Sequence, residues 1–422
     1  MPKLRPFLTI ARLSPDPTAS FDGSWGVMRK FSLLATVAAL GACGGGGDTR
    51  SVGTVAPPSV GGGNGQPPVS GHTFVDPKES RTYQGIGGTH TLSYSVSSDV
   101  QPGEPLRQGS SLYQGNASTA RNSGIQVTYD PRDAIFSLVI TDPLAGSERD
   151  HRFQDPVHRT DFGGTREPQA GVANLNASGI QYLQAGSAST INSPGQLGYN
   201  YDVSTFFYQK PGTTTRYVTL GGYLRNSLTI VEGVRADGTT YPVVDYTFQR
   251  SAFAYGERTR DQDVPRSGTG AYTGNMLATM VFNDRRDVEV GAPTYFQWLE
   301  GTSQLRVDFA RSSFELDLAG RAFAPRDLDG TNGAYTIRDG ATFTANGTGR
   351  VDLALQGGFL GDFQRAWFVN PDGRRIDMLI AGSSINGSFF GPTGEEAGGG
   401  FRIVGGNPDE RVDILGAFTG KK

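Results

Sequence analysis

The sequence predicts an all-β protein, in which a β-rich domain precedes a closed antiparallel barrel of about eight strands. Glycine and proline together make up about a fifth of the 422 residues, and both interrupt helices. Aromatic residues reach 10%, which is enough for a packed core. Apolar and polar residues alternate with a period of two through much of the C-terminal half, as they do in strands.

The first element is an export signal. Met28, Arg29 and Lys30 precede the apolar run 31–40, which is too short to cross a bilayer. Leu40 to Cys43 resembles the lipobox of bacterial lipoproteins, which implies lipidation of Cys43 and removal of residues 1–42. Residues 1–27 add nothing to such a signal, so we expect translation to start at Met28. By the same resemblance, Gly44 in place of an aspartate implies delivery to the outer membrane.

The lipidated cysteine is followed by a flexible linker, 43–73, that is rich in glycine and proline and almost free of large apolar residues. The folded body is predicted to divide into residues 74–264, a less regular and more open β domain, and residues 265–422, the barrel. Two hairpins stand out in the first domain: 125–129 with 136–140, and 206–208 with 217–220. Later alternating runs begin at Leu305, Phe314, Val351, Ile376 and Val412.

Several segments resemble one known family. The run 387–401, GSFFGPTGEEAGGGF, and the ending 416–422, GAFTGKK, are similar to the closing motif and the ending of transferrin-binding protein B-like barrels. Residues 217–225 resemble a strand pair of that family's handle domain, and 265–274 resemble the entry to its barrel. The resemblance implies a single-lobe surface lipoprotein, with a handle over 74–264 and a barrel over 265–422.

The closing motif is predicted to be structural. Gly391 and Pro392, and then Gly398 and Gly399, are expected to make tight turns around Glu396 before Phe401 enters the core. The alternative is that Glu395 and Glu396 act as a catalytic acid and base. Adjacent residues in a turn seldom present both carboxylates to one bond, so this alternative is disfavoured.

The segment 149–162 is the candidate partner-binding site. It is predicted to be a solvated loop whose aromatic and arginine side chains are typical of protein contact surfaces. Its candidate residues are Arg149, His151, Arg152, Phe153, His158, Arg159 and Phe162. His151 and His158, with Asp155 or Asp161, are candidate metal ligands, but the neighbouring arginines oppose a cation. The segment 327–333 resembles a calcium loop, but its glycine and its closing glutamate are misplaced, so a hairpin turn is expected there. No metal site and no cofactor are therefore predicted.

Charge and motifs narrow the function further. Lys and Arg number 38 against 41 Asp and Glu, so no basic surface for nucleic acid is predicted. No serine-hydrolase or phosphate-loop motif occurs. We expect a non-enzymatic surface lipoprotein that binds a protein or a metal- or haem-bearing ligand, with a surface lipoprotein translocon and a TonB-dependent transporter as partners. The alternatives are an integral porin-like barrel and a secreted carbohydrate-active enzyme.

Overall fold

The computed structural model describes residues 74, 77–97, 107–108, 114–115, 123–142, 147–154, 175–193, 196–283, 294–327, 336–354, 357–407 and 410–422. The predicted signal peptide, Cys43 and the linker 43–73 lie outside these residues. The described part is almost entirely β-structure, with one 3-10 turn at Asp261–Asp263, which confirms the predicted fold class. Across these ranges, no helix has the length and apolar character needed to span a bilayer.

Two antiparallel sheets form the region before residue 264. The small sheet has the order β1-β5-β6-β7, and the large sheet has the order β3-β2-β11-β10-β9-β8, with β4 also paired to β2. Their strands are β1 Arg81–Gln84, β2 Ile86–Val96, β3 Arg107–Gln108, β4 Gln114–Gly115, β5 Ile125–Asp130, β6 Ile135–Asp142, β7 Ser147–Gln154, β8 Ile180–Ser193, β9 Gln196–Gln209, β10 Val218–Val234 and β11 Thr240–Gly256. The hairpins β5–β6 and β9–β10 confirm the two predicted hairpins.

The remaining strands form a closed eight-stranded barrel. The pairing runs β15-β14-β13-β12-β20-β19-β18-β16, and β15 pairs with β16 to close it, while β17 is a short extra strand on β16. The strands are β12 Thr269–Asn283, β13 Thr294–Asp308, β14 Ser313–Asp327, β15 Thr342–Asp352, β16 Gly358–Val369, β17 Arg375–Asp377, β18 Leu379–Phe390, β19 Glu396–Asn407 and β20 Glu410–Lys421. Closure leaves these eight strands without a free edge.

Side chains fill the barrel interior and charges cover its wall. On β14 the inward residues Phe314, Leu316 and Leu318 are buried. Between them, Glu315 and Asp317 point outward and pair with Arg306 of β13. The apolar face of the sheet therefore lies inside the barrel, as the period of two predicts.

The large sheet is covered on both faces. On β9, Phe206 belongs to the core shared with the small sheet, whereas the next residue, Phe207, packs on Trp298 of the barrel, with ring centroids 5.4 Å apart. On β11, Phe253 and Ala252 divide in the same way between the two cores. Strands buried on both faces lose the alternation of polar and apolar residues, so this region is less regular in sequence.

Two strand details differ from the predictions. β15 ends at Asp352, and Leu353 lies in the turn that follows it. The run that begins at Ile376 belongs to two strands, β17 and β18, because β17 leaves the barrel wall. The boundary between residues 264 and 265 stays a prediction, since all described residues belong to one compact unit.

Candidate functional site

The first half of the predicted partner-binding segment is a strand rather than a loop. Ser147–Gln154 forms β7, which pairs with β6 at the edge of the small sheet. Exposure alternates along it: Asp150 and Arg152 face solvent, while Phe153 is buried. The prediction of a solvated loop for this half is wrong, because alternate side chains of β7 cover the hydrophobic core.

Phe153 is a core residue. Its side chain is fully buried between the two sheets, 5.8 Å from the ring of Phe206. It therefore offers no surface to a partner, contrary to the expectation of an exposed anchor. His151 is half-buried, and its Nε2 lies 2.9 Å from the hydroxyl of Tyr223, which in turn lies 3.1 Å from the hydroxyl of Ser204.

The other predicted contact residues fall into two groups. Arg152 is exposed on β7, and its role as a partner contact stays a prediction. The side chain of Arg149 and all of His158, Arg159 and Phe162 lie outside the described residues, as do the candidate metal ligands Asp155 and Asp161. In the described ranges, no cluster of three or more His, Cys, Asp or Glu side chains is placed to hold a metal ion.

The closing motif makes one tight turn and then a strand. Gly391 and Gly394 have φ values of +89° and +73°, a conformation that is strained for residues with a side chain. Both glycines lie in the turn that connects β18 to β19. Gly398 and Gly399 lie within β19, so the prediction that they form a turn is wrong. A Cβ on Gly398 would meet Val218 of the large sheet at 3.0 Å. Gly398 therefore allows the barrel wall to approach the large sheet closely.

Glu396 connects the barrel to the large sheet. Its carboxylate is buried and accepts hydrogen bonds from the backbone N–H groups of Arg216, Tyr217 and Val218 at 2.6, 2.7 and 3.1 Å. Burial raises the pKa of Glu396, an effect that these three donors and Lys421 oppose. The carboxylate caps the start of β10, and both of its oxygens accept backbone hydrogen bonds, whereas Glu395 accepts bonds from Thr393 in the turn.

Phe401 points into the barrel, as predicted. It is fully buried and makes an edge contact with Phe363, with ring centroids 5.8 Å apart. The closing motif thus joins the barrel core to the interface with the large sheet.

A buried polar cluster at the same interface was not predicted. His90 of β2 is fully buried; its Nδ1 lies 2.6 Å from the Thr279 hydroxyl, and its Nε2 lies 3.6 Å from a carboxylate oxygen of Asp413. Arg402 donates to the other oxygen at 3.1 Å. Burial alone would raise the pKa of Asp413, but His90 and Arg402 outweigh it and lower the pKa to about 2.

His90 is enclosed because β2, the strand that carries it, has the barrel behind it. A signal was available in the sequence: Asp413 interrupts an apolar run, Val412 to Phe418, where an unpaired charge would be costly. His90 is hundreds of residues away from Asp413 along the chain, so the sequence alone does not identify this pair.

A cleft of about 480 Å³ lies between the large sheet and the barrel. Its walls are mostly apolar, and include Phe207, Leu220 and Met276. Glu300 is a buried charged residue in this cleft. Its carboxylate accepts a hydrogen bond from the side-chain amide of Asn176 at 2.7 Å and one from the guanidinium of Arg321 at 2.8 Å. Since these contacts hold the segment at 175–177 against β13, we assign Glu300 a structural role.

The comparison with known proteins returns solved structures only. The chain is 16% identical to a mutant of transferrin-binding protein B from Haemophilus parasuis, covering 82% of this chain and 77% of that one, with a TM-score of 0.28. It is 12% identical to intact Ap-TbpB with its N and C lobes, covering 82% of this chain and 80% of that one, with a TM-score of 0.26. It is also 12% identical to the isotype 1 transferrin-binding protein B of serogroup B Neisseria meningitidis, covering 82% of this chain and 77% of that one, with a TM-score of 0.21. No family model and no curated protein matches. Similarity at this level does not identify a ligand.

Proposed function

We propose that this protein is a non-enzymatic lipoprotein of the bacterial outer membrane, displayed at the cell surface, that binds a protein or a metal- or haem-bearing ligand. The observation that carries the proposal is the lipobox at Cys43 and the polar linker to residue 73, which together precede a folded all-β body. Two or more acyl chains anchor a protein stably, and a linker of this composition lets the body stand away from the lipid.

The finer proposal is a co-receptor role in iron acquisition, together with a TonB-dependent transporter and a surface lipoprotein translocon. It is supported by the family resemblance of residues 217–225 and 387–401, which lie at the joint between the large sheet and the barrel. The candidate contact surface is the exposed face of β7, where Arg152 is the described member of the predicted contact set.

The distribution of charge disfavours the porin-like alternative. Membrane-spanning barrels are apolar on the outside, whereas β14 carries Glu315 and Asp317 outward and its apolar residues inward. The hydrogen bonds of Glu396 to the backbone likewise disfavour an enzyme that would use the Glu395–Glu396 pair.

Protease treatment of intact cells tests the display. We expect cleavage of the body on intact cells, detected by mass spectrometry, with a lysed sample as the reference for full accessibility. Cys43→Ser is the matched control, because it removes the lipid site and should release the protein from the membrane fraction. Cleavage that occurs only after lysis would place the protein inside the cell envelope and contradict the proposal.

The contact surface is tested on the same strain. A ligand captured by the intact protein should bind Arg152→Glu less well, whereas Arg374→Glu, an equally exposed change on the barrel, should leave binding unchanged. Equal binding by both variants would exclude the described part of β7 from the contact surface.

A further inference from the structure

A second cavity lies at one end of the two sheets, away from the barrel. Its volume is about 510 Å³, within the range of small-molecule sites. Aromatic rings from five strands line it: Tyr83 of β1, Tyr129 of β5, Phe136 of β6, Tyr208 of β9 and Tyr255 of β11; Phe74 lines it as well. Phe136 and Tyr208 lie 4.9 Å apart, and Tyr83 and Tyr255 lie 6.2 Å apart, measured between ring centroids. The walls therefore suit a flat, apolar ring system.

The cavity wall contains a hydrogen-bond donor that is not satisfied by the described residues. The Tyr83 hydroxyl is buried and has no hydrogen-bond partner among the described residues. Burial, with a smaller effect of Glu257, raises the pKa of Tyr83 to about 12, so the phenol keeps its proton at neutral pH. A buried hydroxyl without a partner is costly, and an acceptor atom on a ligand would remove that cost.

The mouth of the cavity is positively charged. Lys78, Arg132 and Lys210 belong to its lining, and no acidic residue does so within the described part of the chain. Arg132 is paired with Asp133 at 2.8 Å, which offsets its charge. Lys210 is exposed in the β9–β10 turn and is available to a ligand.

The mouth is also stiff. Pro77, Pro131 and Pro211 each lie next to one of the three cations. Proline fixes φ, so these positions lose little conformational freedom when a ligand binds. A cavity with rigid edges and aromatic walls is organised before its ligand arrives.

We propose that this cavity binds a flat aromatic molecule that carries a carboxylate. The rings of Tyr83, Phe136, Tyr208 and Tyr255 contact the aromatic part, while Lys210 and the Tyr83 hydroxyl receive the acid group. The site is formed by the small and large sheets, their turns and the segment before β1, and it stands whether or not the protein is displayed at the cell surface.

Calorimetric titration with two matched probes tests the proposal. The protein is the full chain with Cys43→Ala, which cannot be lipidated and needs no detergent. The probes are 2-naphthoate and its uncharged amide, 2-naphthamide, which share the ring system and an acceptor oxygen. We expect both to bind, and the anion to bind more tightly.

Three variants assign the contacts. Lys210→Ala should weaken 2-naphthoate about threefold, the size expected for one exposed charge, and leave 2-naphthamide unchanged. Tyr83→Phe should weaken both probes about threefold to tenfold, because both lose a hydrogen bond. Arg374→Ala, in the exposed turn between β16 and β17 and outside the cavity lining, should change neither.

Either of two results would overturn the proposal. One is the absence of 2-naphthoate binding to a protein with an unchanged melting temperature. The other is binding that Lys210→Ala and Tyr83→Phe both leave intact, because the probe would then occupy a different site.

Discussion

Replacement of Glu396 by glutamine tests how the barrel is joined to the large sheet. Glutamine has the same shape as glutamate, but its amide nitrogen is a donor. One carboxylate oxygen accepts from the N–H of Arg216, and the other accepts from the N–H groups of Tyr217 and Val218. The single amide oxygen can serve only one side, so at least one of these backbone donors loses its acceptor.

The magnitude follows from these contacts. A buried donor left without a partner costs about 1 to 3 kcal/mol, and hydrogen bonds to a charged acceptor are stronger than neutral ones. Burial raises the pKa of Glu396, so removing its charge recovers part of this cost. We expect Glu396→Gln to lower the free energy of unfolding by about 2 kcal/mol.

Urea unfolding of the purified chain measures this change. Trp298 packs on Phe207 across the interface, so tryptophan fluorescence reports on that joint. Glu395→Gln is the matched control: its partner is Thr393 in the exposed turn, and its cost should stay below about 0.5 kcal/mol. The reasoning is refuted if the two variants lose the same free energy.

Three further predictions concern the same interface and the anchor. Asp413→Asn should remove a pH dependence of the free energy of unfolding. The folded-state pKa of Asp413, about 2, lies below its ordinary value, so the stabilisation by Asp413 is fully present above the ordinary pKa. As the pH falls through the folded pKa, the wild type should lose on the order of 2 kcal/mol of this stabilisation. A wild-type stability that does not change between pH 4 and about pH 2 would contradict this. Gly400→Ala places a Cβ 2.8 Å from the backbone nitrogen of Gly87 and should cost about 1 to 3 kcal/mol in urea unfolding, whereas Gly382→Ala, with nothing within 4 Å, should be close to neutral. Cys43→Ser should move the protein from the membrane pellet to the supernatant; retention in the pellet would argue against lipid anchoring.

Local sequence patterns predicted the strands well where one face of a sheet meets solvent. The alternation at Phe314, Leu316 and Leu318 identifies β14 because Glu315 and Asp317 stay outside. The same reasoning was weaker for the large sheet, in which both faces are covered and the polar residues that mark the outer face are missing. It failed for Phe153, whose charged neighbours suggested a loop although alternate positions of β7 are buried.

Local sequence patterns did not predict the interface between the large sheet and the barrel. Glu396 was predicted to belong to a structural motif, but its partners at Arg216 to Val218 lie about 180 residues earlier in the chain. His90 and Asp413 are separated even further, and neither has a neighbour in sequence that indicates the other. Such contacts depend on which sheet packs on which wall.

The sequence by itself determined the all-β class, the main turns and the predicted lipid anchor, because strand periodicity, glycine and proline geometry and an export signal are all local properties. Only the tertiary structure decided that Glu396 caps the large sheet, that Phe153 is a core residue and that aromatic residues of five strands line a cavity with Lys210 at its mouth. The two faces of a strand differ in burial only after another layer covers one of them. Which face is covered depends on packing between segments that are distant in the sequence.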